Sequence, residues 1–425
     1  MTAGLAAGAI FVAVYALIAS ERVDRTLAAL LGASAVILGG LLDQREAFAA
    51  IDLNVIFLLV GTMVIANILA KTGVFQWLAV EGVRRTGGHP YRLLIATSLL
   101  TAVASMLLNS VTAVVLLTPI AFFVAERIRI TPVPFLISAV IASNIGATAT
   151  LIGGPPNLLI GSAFGLGFEA FLLNALPVCL VLLAAYLVQA RWLFRRELRE
   201  VAQALEPDDL ARLVRDERRI VDPRLLRISG AVIVLTIAGF LASRPLGFGE
   251  ATIALTGAVV LMLLAKEDVR EVLREVEWAT LLFFVGLFIV VAAVVKTGLI
   301  ALAAERTLAL TRGDGDAAAL LVLLASAALS ALVDNIPYAA TATPLVAELG
   351  RSLPLEPLVW ALVLGANVGG NATIIGASPN VVVAGMSASR GHPITFRHFL
   401  GYGVPATLVS VAICTLYLWL RYLHA

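Results

Sequence analysis

Two polar segments inside apolar surroundings carry the side chains best suited to binding a small solute. Residues 143–157 read SNIGATATLIGGPPN and residues 366–380 read ANVGGNATIIGASPN, with Asn, Gly, Ala, Thr, Ile, Gly, Pro and Asn identical in place. In hydrocarbon an unpaired peptide group is costly, so such a run survives only where it lines a cavity or is buried in protein. The pattern predicts two broken helices whose free carbonyls can coordinate a cation and whose half-helix N-termini can face an anion or a hydroxyl.

Neutral side chains of these segments supply oxygen atoms and amide groups. They are Asn144, Thr148, Thr150, Asn367, Asn371 and Thr373. Glycine and proline end one half-helix and let another begin. The predicted breaks accordingly fall at Gly153, Pro155, Pro156, Gly376 and Pro379. Helix packing is the alternative role, since Gly, Thr and Asn also let spans approach closely, but the match of two segments favours a binding site.

A second matched pair of motifs predicts two re-entrant hairpins. LLNSVTAVVLLTP begins at Leu107 and VDNIPYAATATP begins at Val333, and each places an Asn at a turn within an apolar region. The motifs differ in one respect, because an acidic residue, Asp334, precedes the Asn only in the second. An ionisable residue in such a setting is a functional hypothesis by default. Asp334 is therefore the candidate proton carrier, and the alternative is an Asp in water at the membrane surface.

The elements that must position these motifs are membrane spans. The chain of 425 residues is 60% hydrophobic and 14% charged, with a mean hydropathy of +0.98, whereas a soluble domain is roughly 45–50% apolar and about 25% charged. Apolar runs of spanning length recur throughout. The expected spans are 3–19, 26–42, 53–70, 134–152, 171–194, 228–242, 252–265, 280–295, 355–375 and 403–420, with interrupted regions at 93–124 and 317–346. The first run is expected to be a retained span, because no Lys or Arg precedes it and Glu21 follows.

An internal repeat organises these spans. FLLVGTMVIANILAKTGVF from Phe57 aligns with LFFVGLFIVVAAVVKTGLI from Leu282 at an offset of 225 residues, and the two polar segments align at an offset of 223. Gene duplication is the economical explanation, and repeats with Gly/Pro-interrupted segments are typical of secondary transporters. We predict an all-α polytopic membrane protein with a first repeat over 1–194, a linker over 195–227 and a second repeat over 228–425. Five crossings and one hairpin per repeat make the second repeat inverted.

The linker sets the expected orientation. It holds nine Arg and eight acidic residues in 33 positions, interrupted by Pro207 and Pro223, as expected of a water-exposed and partly helical segment. With the linker in the cytoplasm, 23 of the 30 Lys and Arg residues lie inside. This bias predicts a cytoplasmic linker and extracytoplasmic termini in a bacterial inner membrane.

Several function classes are disfavoured. Cys179 and Cys414 lie in separate apolar stretches, so neither a disulfide framework nor a Cys/His metal cluster is expected. A net charge of +2 does not point to nucleic acid. No catalytic motif or Walker lysine appears, so we expect no enzyme activity and no cofactor. Lys71 and Lys296 occupy matched positions before Thr-Gly and are expected to be interfacial anchors or helix caps.

The motifs SNIGATATLIGGPPNLLIG and DNIPYAATATP resemble the ion transporter superfamily, in particular the branch that holds bacterial arsenite permeases and the pigmentation P-protein. The resemblance implies two inverted repeats, each with a re-entrant hairpin and a broken helix, often a homodimer, and an elevator-like movement. It extends the candidate solute-binding set to Asn109, Thr112, Asn157, Asn335 and Asn380. Sodium-coupled dicarboxylate relatives carry Ser-Asn-Thr at both hairpin tips, where this chain has Leu-Asn-Ser and Asp-Asn-Ile. Sodium/proton antiporters of the NhaD type are more distant relatives that share an acidic hairpin.

The leading expectation is proton-coupled efflux of arsenite or antimonite as the neutral trihydroxide. Amides, hydroxyls and backbone dipoles can hydrogen-bond three hydroxyls, and no Arg or Lys is expected at the site. Sodium-coupled symport of a small anion or dicarboxylate and sodium/proton antiport are the alternatives. A channel is a further class, but a continuous pore does not require matched broken helices. The expected partners are a small-molecule or ion substrate and the lipid bilayer, while a homodimer and a separate ATPase subunit remain open.

Overall fold

A computed structural model describes residues 2–20, 22–87, 89–127, 131–204 and 220–423, and every regular element within them is helical. Seven of these helices are long and apolar enough to cross a membrane, and five shorter helices of 10–17 residues are also apolar. The all-helical polytopic fold expected from the sequence is confirmed.

The first half contains ten helices, followed by one in the linker. They are α1 (Thr2–Ser20), α2 (Arg25–Leu38), α3 (Gln44–Ala49), α4 (Leu53–Ala70), α5 (Val74–Thr86), α6 (Pro90–Leu108), α7 (Ser110–Arg127), α8 (Val133–Thr148), α9 (Pro155–Phe164), α10 (Phe168–Leu193) and α11 (Arg195–Ala204). The helix pair α6 and α7 forms the first hairpin. Its tip is Asn109, whose φ of 79° is a left-handed conformation that Asn tolerates better than most residues.

The second half repeats this order. Its helices are α12 (Pro223–Leu241), α13 (Ser243–Leu246), α14 (Glu250–Ala265), α15 (Val269–Arg274), α16 (Trp278–Lys296), α17 (Leu299–Thr311), α18 (Gly315–Ser330), α19 (Asn335–Leu349), α20 (Leu355–Gly369), a 3₁₀ turn (Ile374–Gly376), α21 (Ser378–Ser389) and α22 (Phe396–Tyr422). Helices α14 to α19 each begin 225 residues after α2 to α7, and α21 begins 223 residues after α9. The offsets of the sequence repeat therefore reappear as offsets between helices, while the boundaries assigned to the two repeats stay a prediction.

The helix ends differ from the expected spans where capping residues or a turn end or start a helix. The second span ends at Leu38 rather than residue 42, because Gly39 caps α2 and Gly40 turns the chain at a φ of 69°. The linker prediction placed a break at Pro223, but Pro223 is the first residue of α12, where Asp222 caps the helix and the missing N–H costs nothing. The other predicted break, Pro207, lies outside the described residues.

Helices α5 and α17 were not expected from the sequence. Each has 13 residues and fills the connection before a hairpin. Helix α17 bends by 118° into α18, so the pair cannot form one straight span. These helices feed the chain from the preceding span into the hairpin.

Glycines join the two halves through close helix packing. A Cβ atom on Gly61 of α4 would lie 2.6 Å from the backbone of Ala254 in α14. The matched Gly286 of α16 would place a Cβ 2.6 Å from the backbone of Ala29 in α2. Each contact is between halves, and van der Waals packing of small residues is a main source of helix association in membranes.

The same device packs each hairpin against its broken helix. A Cβ on Gly146 of α8 would lie 2.3 Å from the Ala102 carbonyl oxygen of α6, and one on Gly369 of α20 would lie 2.4 Å from the Ala327 carbonyl oxygen of α18. The second arms of the hairpins cross between halves, since α7 packs against α21 and α19 packs against α9. The hairpins and broken helices thus form one interlocked group.

The matched lysines also link the halves. Lys71 Nζ lies 3.0 Å from the Glu267 carboxylate, and Lys296 Nζ lies 2.6 Å from the Glu46 carboxylate. The hydrogen bond from Lys296 lowers the pKa of Glu46. Both lysines therefore sit at span ends, as expected of anchors, and each pairs with an acid of the other half.

Substituting Gly61 should test the glycine contacts between halves. Gly61→Ala forces a methyl group against the α14 backbone, and we expect it to lower the free energy of unfolding by about 1–3 kcal/mol. Gly230→Ala in α12 is the matched control, because a Cβ there meets no atom within 4 Å. Thermal unfolding of the purified proteins in detergent measures the difference. Equal melting temperatures for the two variants would contradict the packing argument.

Candidate functional site

The two helix breaks are held by one asparagine each. Helix α8 ends at Thr148 and α9 begins at Pro155, while α20 ends at Gly369 and α21 begins at Ser378. In both breaks an Asn side chain donates to the carbonyl oxygens ten and seven residues before it. The distances are 2.9 and 2.8 Å for Asn157 and 2.7 and 2.8 Å for Asn380. These bonds satisfy carbonyls that the breaks remove from the helix ladder.

Asparagines also connect the two breaks to each other. The Asn144 amide donates to the oxygens of Asn371 at 3.0 Å and Asn380 at 2.9 Å. The Asn367 amide donates to the oxygen of Asn157 at 2.8 Å. All five residues are at most 3% exposed, and among the described residues the buried Asn371 amide nitrogen has no hydrogen-bond partner. We call these five residues the amide cluster.

Threonines tie each break to the hairpin of its own half. The Thr150 hydroxyl donates to the Met106 carbonyl, and the Thr373 hydroxyl donates to the Ala331 carbonyl, both at 2.6 Å. Thr148 donates to the Asn144 carbonyl within its own helix at 2.8 Å. Their hydroxyl hydrogens are therefore engaged in holding the backbone, and their oxygens keep acceptor capacity.

Four helix N-termini converge on a central cavity. Helices α7, α9, α19 and α21 begin there, and the cavity has a volume of about 10 Å³, close to that of one water molecule. Its lining residues are Ser110, Val111, Asn144, Ala147, Gly154, Pro155, Pro156, Asn335, Ile336, Asn367, Ser378 and Pro379. Helix N-termini carry partial positive charge, so the cavity favours electron-rich oxygen atoms, although Pro155, Pro156 and Pro379 lack an N–H group and the N–H groups of Ser110, Val111 and Ile336 already have partners. A cavity of this volume is too small for a solute larger than a water molecule.

The predicted break residues take two different roles. Pro155, Pro156 and Pro379 occupy the first positions of α9 and α21, where proline is tolerated. The Gly153 carbonyl accepts the backbone N–H of Ser110 at the first hairpin tip, at 3.0 Å. Gly376 ends the 3₁₀ turn of the second break.

Asp334 lies at the second hairpin tip in an ion pair. One carboxylate oxygen accepts from the Ile336 backbone N–H at 3.0 Å and caps α19. The other accepts from the Ser378 hydroxyl at 2.5 Å and lies 3.5 Å from the Arg25 guanidinium. Arg25 in turn donates to the Ser378 hydroxyl. Asp334 is therefore both a helix cap and a charged partner.

Arg25 lies beside the central cavity, at a place where no sequence feature indicated a cation. Arg25 is the first residue of α2 and is more than 300 positions from Asp334, so nothing in the local sequence ties the two. Together with Asp334 and Ser378 it borders a cavity of about 350 Å³ beside the central one. Sequence reasoning also missed the Ser110 and Ser378 contributions, although both residues adjoin predicted motifs.

Of the eleven expected solute-binding residues, Asn144, Asn335 and Asn367 line the central cavity, and the two from the first hairpin are among those that do not. Thr112 is buried in α7 but is not among the lining residues. Asn109 is buried at the first hairpin tip, where its side chain accepts from the Val111 backbone N–H at 3.0 Å. Asn335, in contrast, is the first residue of α19 and lines the cavity.

Known proteins are similar to this chain in sequence and in fold. A family model described as a citrate transporter matches residues 15–365. An uncharacterised transporter of Mycobacterium tuberculosis is 43% identical over 423 residues, covering 97% of both chains. The P protein of Homo sapiens is 33% identical over 495 residues, covering 97% of this chain and 59% of the P protein. Among solved structures, the YdaH transporter of Alcanivorax borkumensis, whose topology is described as unusual, has a TM-score of 0.55 at 15% identity and covers 92% of this chain and 88% of that chain.

Removing one amide should test the cluster. Asn144→Ala leaves the oxygens of Asn371 and Asn380 without this donor, and we expect a loss of about 1–3 kcal/mol in the free energy of unfolding. Asn54→Ala is the matched control, because Asn54 is exposed. Thermal unfolding and the amount of protein inserted in the membrane are the measurements. An Asn144→Ala variant as stable as the control would show that the amide cluster contributes nothing to stability.

Proposed function

The chain belongs to the citrate transporter family of the ion transporter superfamily and is a secondary transporter, and we propose that it moves a small, oxygen-rich solute by alternating access. The observation that carries this proposal is the amide cluster at the meeting point of four helix N-termini. Its donors suit hydroxyl or carboxylate oxygens, and the closed cavity corresponds to a state between the two open ones.

We propose arsenite or antimonite, exported as the neutral trihydroxide, as the first substrate class. The charge of Arg25 is balanced by Asp334 at 3.5 Å, so the pair adds little net charge to the site. The remaining polar groups around the central cavity are amides, hydroxyls and the positive ends of four helix dipoles. Such groups can bind three hydroxyls without a fixed counter-ion.

A small carboxylate anion is the second candidate. Arg25 lies within reach of the cavity that borders Asp334, and guanidinium groups bind carboxylates through paired hydrogen bonds. The four helix N-termini add positive potential. Neutralising Asp334 by a proton would free Arg25 for such an anion, which links proton and anion movement.

Asp334 is our proposed proton carrier, and the packing of the helices gives the reason. Arg25 belongs to α2, which packs tightly on α16, whereas Asp334 and Ser378 belong to the interlocked hairpins and broken helices. Movement of one group against the other separates Asp334 from Arg25. A carboxylate that loses its cation in an apolar setting favours protonation. Alternation of access would thereby load and release a proton.

We place the linker in the cytoplasm and both termini outside the bacterial inner membrane. The 23 inside Lys and Arg residues support this orientation. In everted vesicles the linker then faces the medium, so added protease should cut it there and spare it in right-side-out vesicles.

Uptake into everted vesicles should identify the substrate. With an acidic lumen and no ATP, we expect arsenite to accumulate, because export becomes uptake and protons leave in exchange. Parallel assays with succinate and sodium test the carboxylate and sodium/proton alternatives. Vesicles carrying Asn367→Ala, which breaks the bond to Asn157, should not accumulate arsenite. Proton-driven efflux of preloaded succinate from these vesicles, without arsenite uptake, would replace the first candidate by the second, and a requirement for ATP would argue against secondary transport.

Asp334→Asn should separate coupling from binding. Asn can cap α19 and keep a hydrogen bond to Ser378 but cannot carry a proton. We expect exchange of substrate down its gradient to persist, while accumulation against the gradient falls to background. Asp314→Asn is the matched control, because Asp314 caps α18 through the N–H groups of Asp316 and Ala317 outside the site. If Asp334→Asn concentrates substrate at the wild-type rate, Asp334 is not the proton carrier.

A further inference from the structure

A groove lined by basic and aromatic side chains lies where α10 runs into the linker helix α11. Its volume is about 650 Å³. The side chains that bear on its chemistry are His89, Tyr91, Arg191, Trp192, Arg195 and Arg199. We call it the basic groove. It lies apart from the amide cluster and shares no lining residue with the central cavity.

Three arginines from two consecutive helices line the groove. Arg191 lies in the last turn of α10, while Arg195 and Arg199 lie four residues apart on α11 and are neighbours on its surface. The junction between the two helices is fixed to the protein, because Phe194 is buried and stacks on the Tyr402 ring with centroids 4.5 Å apart. The three guanidinium groups are thereby presented together at the groove.

These arginines are not neutralised by the acids that the structure describes near them. Over the described residues, no carboxylate lies within 4.0 Å of any of the three guanidinium groups. The adjacent Arg196 does have a partner, since it lies 4.0 Å from Glu200. A cluster of like charges without a counter-ion among the described residues favours binding of an anion.

The groove lies at the level of the membrane surface. Helix α10 is long and apolar enough to span the bilayer, and Arg191 and Trp192 stand in its last turn. Trp192 is 67% exposed, and tryptophan favours the headgroup level of a bilayer. The Arg191 guanidinium lies over the Tyr91 ring at 5.8 Å, next to the first turn of α6, which has no side-chain cap.

We propose that the basic groove binds the phosphate headgroup of an anionic phospholipid from the leaflet on the linker side. Arginine forks match phosphate oxygens through paired hydrogen bonds, and basic pockets between transmembrane helices hold anionic headgroups. Trp192 gives the acyl region of a lipid an apolar contact that free phosphate cannot use. A lipid bound here contacts both the end of α10 and the start of the linker, so it would stabilise the junction between the first half and the linker.

Lipid retention by the purified full-length protein tests the proposal. Native mass spectrometry in detergent compares phosphatidylglycerol with phosphatidylcholine for the wild type, for Arg195→Gln combined with Arg199→Gln, and for Arg196→Gln. We expect the wild type to prefer phosphatidylglycerol and the double variant to bind it about 30-fold more weakly, from roughly 1 kcal/mol per arginine. Arg196→Gln is the control and should retain wild-type binding, because it removes one positive charge from a neighbouring position that is paired with Glu200 and does not line the groove.

Further measurements distinguish a lipid site from a site for a soluble anion. Inorganic phosphate in excess should not displace the lipid, and displacement would show a soluble-anion site instead. Equal binding of phosphatidylglycerol by the double variant and the Arg196→Gln control would overturn the proposal. If the double variant does not fold, Trp192→Ala replaces it, and the expected result is weaker lipid binding with phosphate binding unchanged. None of these outcomes depends on substrate transport.

Discussion

The structure depends on one constraint: a helix broken inside a bilayer must pair its freed peptide groups within the protein. Asn157 and Asn380 meet it by donating to carbonyls of their own breaks, while their side-chain oxygens accept amides from the other half. The same two residues therefore stabilise the breaks and hold the halves together. A site made this way is built into the fold, because removing its polar groups would leave the breaks unpaired.

The constraint also explains why the site is closed with so little free volume. Each amide in the cluster bonds to the opposite half, and each such bond contributes about 1 kcal/mol. A solute bound at the proposed site would have to separate some of these bonds and replace them with its own hydrogen bonds. The Asn371 amide nitrogen has no partner among the described residues, but Asn371 is not among the residues that line the central cavity. The glycine contacts outside the cluster, such as Gly61 with Ala254, would keep the halves together while bonds in the cluster separate.

The helix breaks could be predicted from the sequence, but the ion pair could not, and the reasons are physical. Glycine, proline and asparagine at membrane depth have few compatible structures, so the breaks near Pro155 and Ser378 follow from local composition. The contact of Arg25 with Asp334 depends on how α2 packs beside a hairpin of the other half. No local sequence pattern indicates such packing. Helices α5 and α17 escaped prediction because 13-residue connectors give no spanning hydropathy signal. The ends of α2 and α12 depended on caps that hydropathy does not detect.

The amide cluster follows the sequence repeat, whereas the charged cluster of Arg25, Asp334 and Ser378 does not. Four of the five asparagines in the amide cluster match in pairs between the halves, while Asn371 matches Thr148 and none of the three members of the charged cluster has a counterpart of its own type. Arg25 matches Glu250, Asp334 matches Asn109 and Ser378 matches Pro155. A lone Asp or a lone Arg at this depth would be costly, whereas the pair compensates itself. The two charges thus depend on each other. Because Arg25 lies on α2 whereas Asp334 and Ser378 lie at the second hairpin and the second broken helix, this difference between the two halves is concentrated in one contact between separate helices.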